Sequence, residues 1–269
     1  KEEGDLEEAR RVLARALEAK PGSALLHESL GRLEYDDERL DKAVEFLETA
    51  ARLDPERARE WKDFLEKVRR EAEVERGLFR AQSANLVVKY DDQKFRAVGQ
   101  SVLRLLEALQ ARLSVDFDHR PTRRLSVVLY TRGDFDAGTG VAEWAGGLFD
   151  GKIRLPVRNF DRARAAIEAT LAHELTHFYV RSLAPRCPLW LNEGLAQYQE
   201  GRRAARLPKG LLRDARDHGR LPGVAELPGS WASISDREKV TLYYAMGLSF
   251  TDYLVNRFGF RSVRDYLLS

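Results

Sequence analysis

His173 and His177 stand four residues apart, with Glu174 directly after the first, in the pentapeptide His173-Glu174-Leu175-Thr176-His177. An α-helix makes one turn in 3.6 residues, so this spacing turns both imidazoles to one side. Two such imidazoles can hold one zinc ion, and Glu174 then stands beside the position that the ion keeps open. A third protein ligand has to come from elsewhere. Glu193, in Trp190-Leu191-Asn192-Glu193-Gly194-Leu195-Ala196, is the candidate. These residue types at this spacing imply metal-assisted hydrolysis, foremost of a peptide bond.

The chemistry needs two helices to carry it. Ile167, Leu171, Leu175 and Phe178 recur at helical spacing around the histidines, which gives the first helix an apolar face to bury. Asp161 is its predicted N-cap. Pro185 and Pro188 are expected to stop this helix and start the next. On that second helix Leu191, Leu195 and Tyr198 share one face and Glu193 lies on another. The competing reading is two surface helices whose histidines do nothing.

Composition sets the outer bounds. A length of 269 residues allows one large domain or two small ones, and 43% hydrophobic residues is enough for a real core. Charged residues reach 33%, yet the formal net charge is only +2. The arginine pairs Arg10-Arg11, Arg69-Arg70, Arg123-Arg124 and Arg202-Arg203 are mostly mixed with acids, which fits solvated faces and argues against nucleic acid as a partner. Cys187 is the single cysteine, so no internal disulfide can form. It sits in a loop between Arg186 and Pro188 with no nucleophile motif around it, and it reads as incidental. No apolar run has the length of a membrane span. The chain starts at Lys1, so a targeting segment is not expected within it. The compartment stays open between cytoplasmic and exported, and the arginine-rich composition leans bacterial.

The N-terminal part repeats itself. Leu6, Ala9, Leu13, Ala16 and Pro21 recur as Leu40, Ala43, Leu47, Ala50 and Pro55, each pair 34 residues apart. This looks like the tetratricopeptide (TPR) repeat, whose period is the same. The alanines let paired helices approach, and the prolines end the second helix of each unit. Leu30-Gly31 fits the first-helix pattern, and Trp61 and Leu65 fit the helix that follows. Where the pattern wants a tryptophan, the chain has His27. The register places the start of the first unit ahead of Lys1. Such a segment either binds a protein partner on its concave side or serves only to pack against its neighbour.

Gly77 is the expected boundary between a repeat segment, 1–76, and a second domain, 77–269. After it, Asn85 to Tyr90 reads as a strand, Lys94 to Leu113 as an amphipathic helix and Leu125 to Tyr130 as a central strand. Gly133 to Gly140 reads as a loop. Asp150-Gly151, between two apolar stretches, predicts a hairpin. Strands followed by the motif helices make the expected class α+β: helical hairpins, then a domain with a small mixed sheet and an active-site helix.

The motif pair behind this order of strands resembles the gluzincin zinc metallopeptidases, the thermolysin-like and zinc-aminopeptidase-like enzymes. More closely it resembles the peptidase MA-like domains of bacteria, some of which carry TPR repeats. The resemblance covers roughly 79–269, and its specific part is His173-Glu174-x-x-His177 with the Asn192-Glu193-Gly194 helix. It implies His173, His177 and Glu193 as ligands of one Zn2+ per chain, Glu174 as the general base and a peptide or protein as substrate. The shorter run from His177 to Glu193 requires a tighter loop than in the aminopeptidases. In that group an edge strand ahead of the zinc helix pairs with substrate. Trp144-Ala145-Gly146-Gly147 occupies that place, as a substrate-binding strand or as an ordinary hairpin strand. The group also has a late tyrosine that holds the developing oxyanion. Tyr244, in Tyr243-Tyr244-Ala245-Met246-Gly247, fits best; its other reading is a core aromatic. His218 is a rival whose Asp-His-Gly setting reads as a turn. His119 and His27 take no role. Asn192 is either support for the third ligand or a helix cap. The alternative function is a TPR-bearing interaction scaffold with an idle zincin-like domain.

Overall fold

Helices Glu3–Ala19 (α1), Ala24–Asp36 (α2) and Leu40–Leu53 (α3) form where the 34-residue period places them, with Pro21 after the first and Pro55 after the third. The computed structural model describes residues 3–121, 123–130, 148–149, 151–156, 160–207, 210–231 and 234–268. Their division by contacts gives two compact units. One comprises Lys1–Leu103, Thr122–Ala145 and Arg154–Pro156; the other comprises Arg104–Pro121, Gly146–Ile153 and Val157–Ser269.

In the first unit, Pro55 opens the short helix Pro55–Ala58 (α4), which leads through a 3-10 turn into Lys62–Glu75 (α5). The apolar positions of the repeat meet in one cluster of Tyr35, Leu40, Ala43, Leu47, Ala50, Trp61, Leu65, Val68 and Ala72. Gly31 makes the α2–α3 contact possible, because a Cβ there would lie 2.6 Å from Leu47 Cγ. Gly77, at φ +86°, turns the chain into strand Phe79–Gln82 (β1). β1 runs antiparallel to Leu86–Tyr90 (β2), and β2 runs parallel to Leu125–Tyr130 (β3), with Leu86 opposite Leu125. Parallel neighbours need a crossover, and helix Arg96–Asp116 (α6) supplies it. Every residue of β2 and β3 is buried, as their near-continuous apolar runs require. Strand Ile153–Pro156 (β5) follows β3 in sheet order. Gly151, between Leu148–Phe149 (β4) and β5, adopts φ +111° at the Asp-Gly position where a hairpin is predicted. The protein is thus mostly helical, with one small mixed sheet.

Two charges on the strands, and a third just ahead of β5, are buried. Lys89 of β2 is fully buried and donates to Glu38 Oε2 at 2.6 Å and to Glu75. Arg154 of β5 donates to Glu71 at 2.8 Å and to the Tyr130 hydroxyl at 3.1 Å. Glu38, Glu71 and Glu75 belong to the repeat hairpins, so the repeats and the sheet are keyed together within this unit by ion pairs. The third, Lys152, belongs to the second unit.

The second unit is built around Phe160–Leu183 (α7), which carries both histidines. Ile167, Leu171, Leu175 and Phe178 are all buried, as their spacing predicts. The helix starts one residue before Asp161, so Asp161 lies in its first turn and not at the cap. Pro188 is the N-cap of Leu189–Gln199 (α8), and α7 ends two residues before Pro185. α8 packs against both α7 and Arg237–Phe258 (α10). Leu211–Asp217 (α9) and Phe260–Leu267 (α11) complete the unit. Tyr179 fixes α7 to α6: its buried hydroxyl donates to the Gln110 carbonyl at 3.0 Å and accepts from Ser114 at 2.6 Å. Among the described residues no helix is long and apolar enough to cross a membrane.

Candidate metal centre

On α7, His173 and His177 lie one turn apart with ring centroids at 4.8 Å. On α8, Glu193 faces them: its Oε2 is 3.5 Å from His173 Nε2 and 3.8 Å from His177 Nε2. One ligand atom from each of the three residues falls within 4.8 Å of the others. Two helices therefore bring together all three residues that the sequence singles out as metal ligands.

The outer ring nitrogens are engaged. The Glu200 carboxylate lies 2.6 Å from His173 Nδ1, and Asn192 Oδ1 lies 3.0 Å from His177 Nδ1. Both partners are acceptors, so each Nδ1 is held as a donor, and in the neutral ring Nε2 is then the nitrogen with the lone pair, on the side of Glu193. This is the tautomer a metal-binding histidine requires, held by the hydrogen bonds that usually hold it. Asn192 lies in the fourth position of its helix, behind the Pro188 cap, so it serves the histidine and not the helix end. Nothing in the sequence analysis picks out Glu200. Its one signal is the seven-residue spacing from Glu193, which returns to the same side of a helix after two turns.

A zinc ion fits the donor set on two counts. Glu193 Oε2 is buried and has no hydrogen-bond partner among the described residues, an arrangement that costs free energy unless something charged or polar meets it. The electrostatics favour a cation as well. Burial works against a charged His173, yet the neighbouring carboxylates of Glu193 and Glu200 and the charge of Glu174 outweigh it and push the ring up to about 10. His177 goes the other way, lowered mainly by burial. Three carboxylates around two imidazoles thus leave a surplus of negative charge.

Glu174 is 8% exposed, and burial, aided by Glu193 and Glu200, raises its carboxyl to about 7 while His173 opposes the shift. A group so poised can take up and return a proton near neutral pH. Tyr244 of α10 is half-buried. Burial first, then the charges of Glu193 and Glu174, raise its phenol well above the ordinary range, so it stays a hydrogen-bond donor close to both carboxylates. Its backbone carbonyl accepts from Gln197 of α8 at 3.0 Å, and Trp231 meets its ring edge-on at 4.8 Å. Trp144, Ala145, Gly146 and Gly147, read as a substrate-binding strand, lie outside the described residues. Burial pushes the Cys187 thiol up to about 12, which leaves almost no thiolate at neutral pH.

The placement of Glu193 depends on two glycines. A Cβ at Gly194 would collide with Thr251 Oγ1 and with the Gly247 carbonyl oxygen, and one at Gly247 would lie 2.6 Å from the Trp190 carbonyl. The α8–α10 contact is thus backbone on backbone, directly beside Glu193. Gly194→Ala is expected to destabilise the protein by roughly 1–3 kcal/mol through overpacking and to displace Glu193. A denaturation midpoint and a zinc affinity that both match wild type would disprove the close approach.

Residues 1–68 match the tetratricopeptide repeat family. No curated protein matches the chain. The matched segment lies entirely within the first unit and stops short of the histidine–glutamate cluster, which stands on its own geometry. Residues 1–68 are thus similar to tetratricopeptide repeats, a fold that presents surfaces to protein partners.

Proposed function

We propose that the chain is a zinc-dependent peptidase of the gluzincin type. The observation that carries this reading is the convergence of His173, His177 and Glu193 within 4.8 Å, with both histidines held in the ligand tautomer and a buried, unpartnered Glu193 oxygen among them. These three residues would hold the ion. Zinc bound there would acidify a coordinated water and polarise the scissile carbonyl. Glu174 takes the proton of the attacking water and returns it to the leaving amine nitrogen. The Tyr244 phenol donates a hydrogen bond to the oxygen that becomes negative. Glu200 and Asn192 hold the two imidazoles at their Nδ1 protons throughout.

The family match favours a second reading, a repeat scaffold that binds a protein partner beside an idle zincin-like domain. Metal content separates the two. Elemental analysis of chelator-free protein is expected to give about one zinc per chain in wild type and none in His177→Ala, which removes one of three ligands. A wild-type protein that neither carries nor takes up zinc would rule out the peptidase and leave the scaffold. Full zinc occupancy in His177→Ala would exclude His177 as a ligand.

A further inference from the structure

Trp231 lies in the loop ahead of α10, where its carbonyl accepts from the Ile234 N–H at 3.1 Å. Its side chain is 6% exposed, and the indole Nε1 is buried with no hydrogen-bond partner among the described residues. A buried N–H in that state costs free energy that a wholly apolar ring would not incur. The indole meets the Tyr244 ring edge-on, with centroids at 4.8 Å and planes at 80°. It also meets Tyr243 at 5.7 Å, and Tyr243 is itself 5% exposed. The indole is thus held against two successive side chains of α10. An edge-on pair sets the positive edge of one ring against the negative face of the other, which favours one mutual orientation.

Tyr244 needs such a support. Its backbone is already tied. Gln197, 2% exposed, uses its amide nitrogen to donate to the Tyr244 carbonyl at 3.0 Å and to the Glu193 carbonyl at 3.3 Å. One buried side chain therefore joins the main chain at Glu193 to the main chain at Tyr244. That tie ends at the backbone. The Tyr244 hydroxyl makes no hydrogen bond among the described residues, so nothing there tethers the phenol by its tip. The direction in which it points depends on the two side-chain torsions and on what packs against the ring. Among the described residues, Trp231 is the aromatic neighbour of that ring.

The geometry points to Trp231 as the residue that positions Tyr244, fixing the ring while Gln197 fixes the backbone, so that the phenol is aimed before substrate arrives. A hydrogen bond to a developing oxyanion depends on both distance and direction, and a donor held in place beforehand need not be reorganised during the reaction. The inference rests on the peptidase reading for the oxyanion role of Tyr244. The contact between the two rings can be measured without turnover.

Two readouts on the full-length protein test it. The first is the initial rate of cleavage of a tryptic digest of casein, followed by mass spectrometry and expressed per bound zinc. Trp231→Leu is expected to slow cleavage about tenfold, the order that one aromatic pair can contribute. In a Tyr244→Phe background the same change is expected to cost nothing further, because a residue that acts through the hydroxyl has no effect once the hydroxyl is gone. Trp231→Phe, which keeps a ring, is expected to restore most of the rate. If the leucine variant does not fold, the cycle is run with Trp231→Phe, expected to cost about threefold with Tyr244 present and nothing without it. Equal losses in both backgrounds, or no loss in either, would overturn the assignment. The second readout is fluorine NMR of protein labelled with 3-fluorotyrosine, where the Tyr244 resonance is identified by its absence from Tyr244→Phe. Loss of the indole is expected to shift or broaden that resonance, and an unchanged one would also overturn the assignment. The two claims fail separately. A wild-type protein that cleaves nothing, with a Tyr244 resonance that depends on Trp231, removes the peptidase reading and leaves the ring contact. Cleavage by wild type with equal losses in both backgrounds does the reverse.

Discussion

Glu174→Gln is expected to retain the metal and to lose peptide hydrolysis by roughly 10²–10⁴-fold, the usual worth of a positioned general base. The argument comes from what the side chain touches and what it does not. Glu174 is absent from the set of three ligand atoms that converge, so the amide leaves His173, His177 and Glu193 in place. It is nearly isosteric and neutral, so a site already crowded by Glu193 and Glu200 is relieved of a charge and not strained by a new one. What the amide cannot do is accept a proton. The assay is cleavage of a broad peptide mixture followed by mass spectrometry, with zinc measured in the same preparations. Loss of cleavage at unchanged zinc matches the assigned role. Cleavage equal to wild type would sink the mechanism, and loss of zinc in the variant would make Glu174 a ligand.

How much of this site the sequence discloses follows from the range over which each signal acts. His173 and His177 are visible because helical spacing alone places them together, and Glu193 because a short loop brings its helix back against the first. Glu200 is invisible to the same reasoning. It lies 27 residues from His173, at the C-cap of α8, and only the packing of α8 on α7 turns its carboxylate to the Nδ1 proton. Asn192 is ambiguous between a cap and a histidine partner until Pro188 is seen to occupy the cap. Gly194 reads as part of a motif, but the physical reason for it lies on α10, more than fifty residues on, where Gly247 and Thr251 leave no space for a Cβ.

The fold divides along the same line. The 34-residue period marks the repeat hairpins because each contact within them is local, and β2 and β3 are marked by runs of β-branched and apolar residues that end up fully buried. The predicted helix from Lys94 to Leu113 begins at Arg96 and ends at Asp116, because Asp92 caps a 3-10 turn, Gln93–Phe95, ahead of it. Periodicity says nothing about charge partners distant in sequence. Lys89 in a β-prone run gives no sign that Glu38, 51 residues earlier, is its partner, and Arg154 gives none that it meets Glu71 across 83 residues.

Those pairs carry the second large effect. Lys89→Met is expected to cost about 3–5 kcal/mol, because it strips the shared cation from two buried carboxylates. Lys89 is 0% exposed, and Glu38 and Glu75 are 5% and 3% exposed, so water cannot take over the task. Glu38 is held at φ +62°, an unfavourable backbone region for a residue with a Cβ, and its ion pair with Lys89 helps to keep it there. The cost is therefore expected to appear as loss of the whole first unit, repeats and sheet together, since the three residues come from α5, the α2–α3 turn and β2. Equilibrium denaturation read by circular dichroism measures it. A triple variant, Lys89→Met with Glu38→Gln and Glu75→Gln, is expected to recover most of the loss, because neutral amides can hydrogen-bond each other where two carboxylates repel. A Lys89→Met protein within about 0.5 kcal/mol of wild type would mean that the ion pairs do not join the repeats to the sheet. A single variant with a large deficit and no recovery in the triple would assign the loss to the packing of the lysine stem and not to its charge.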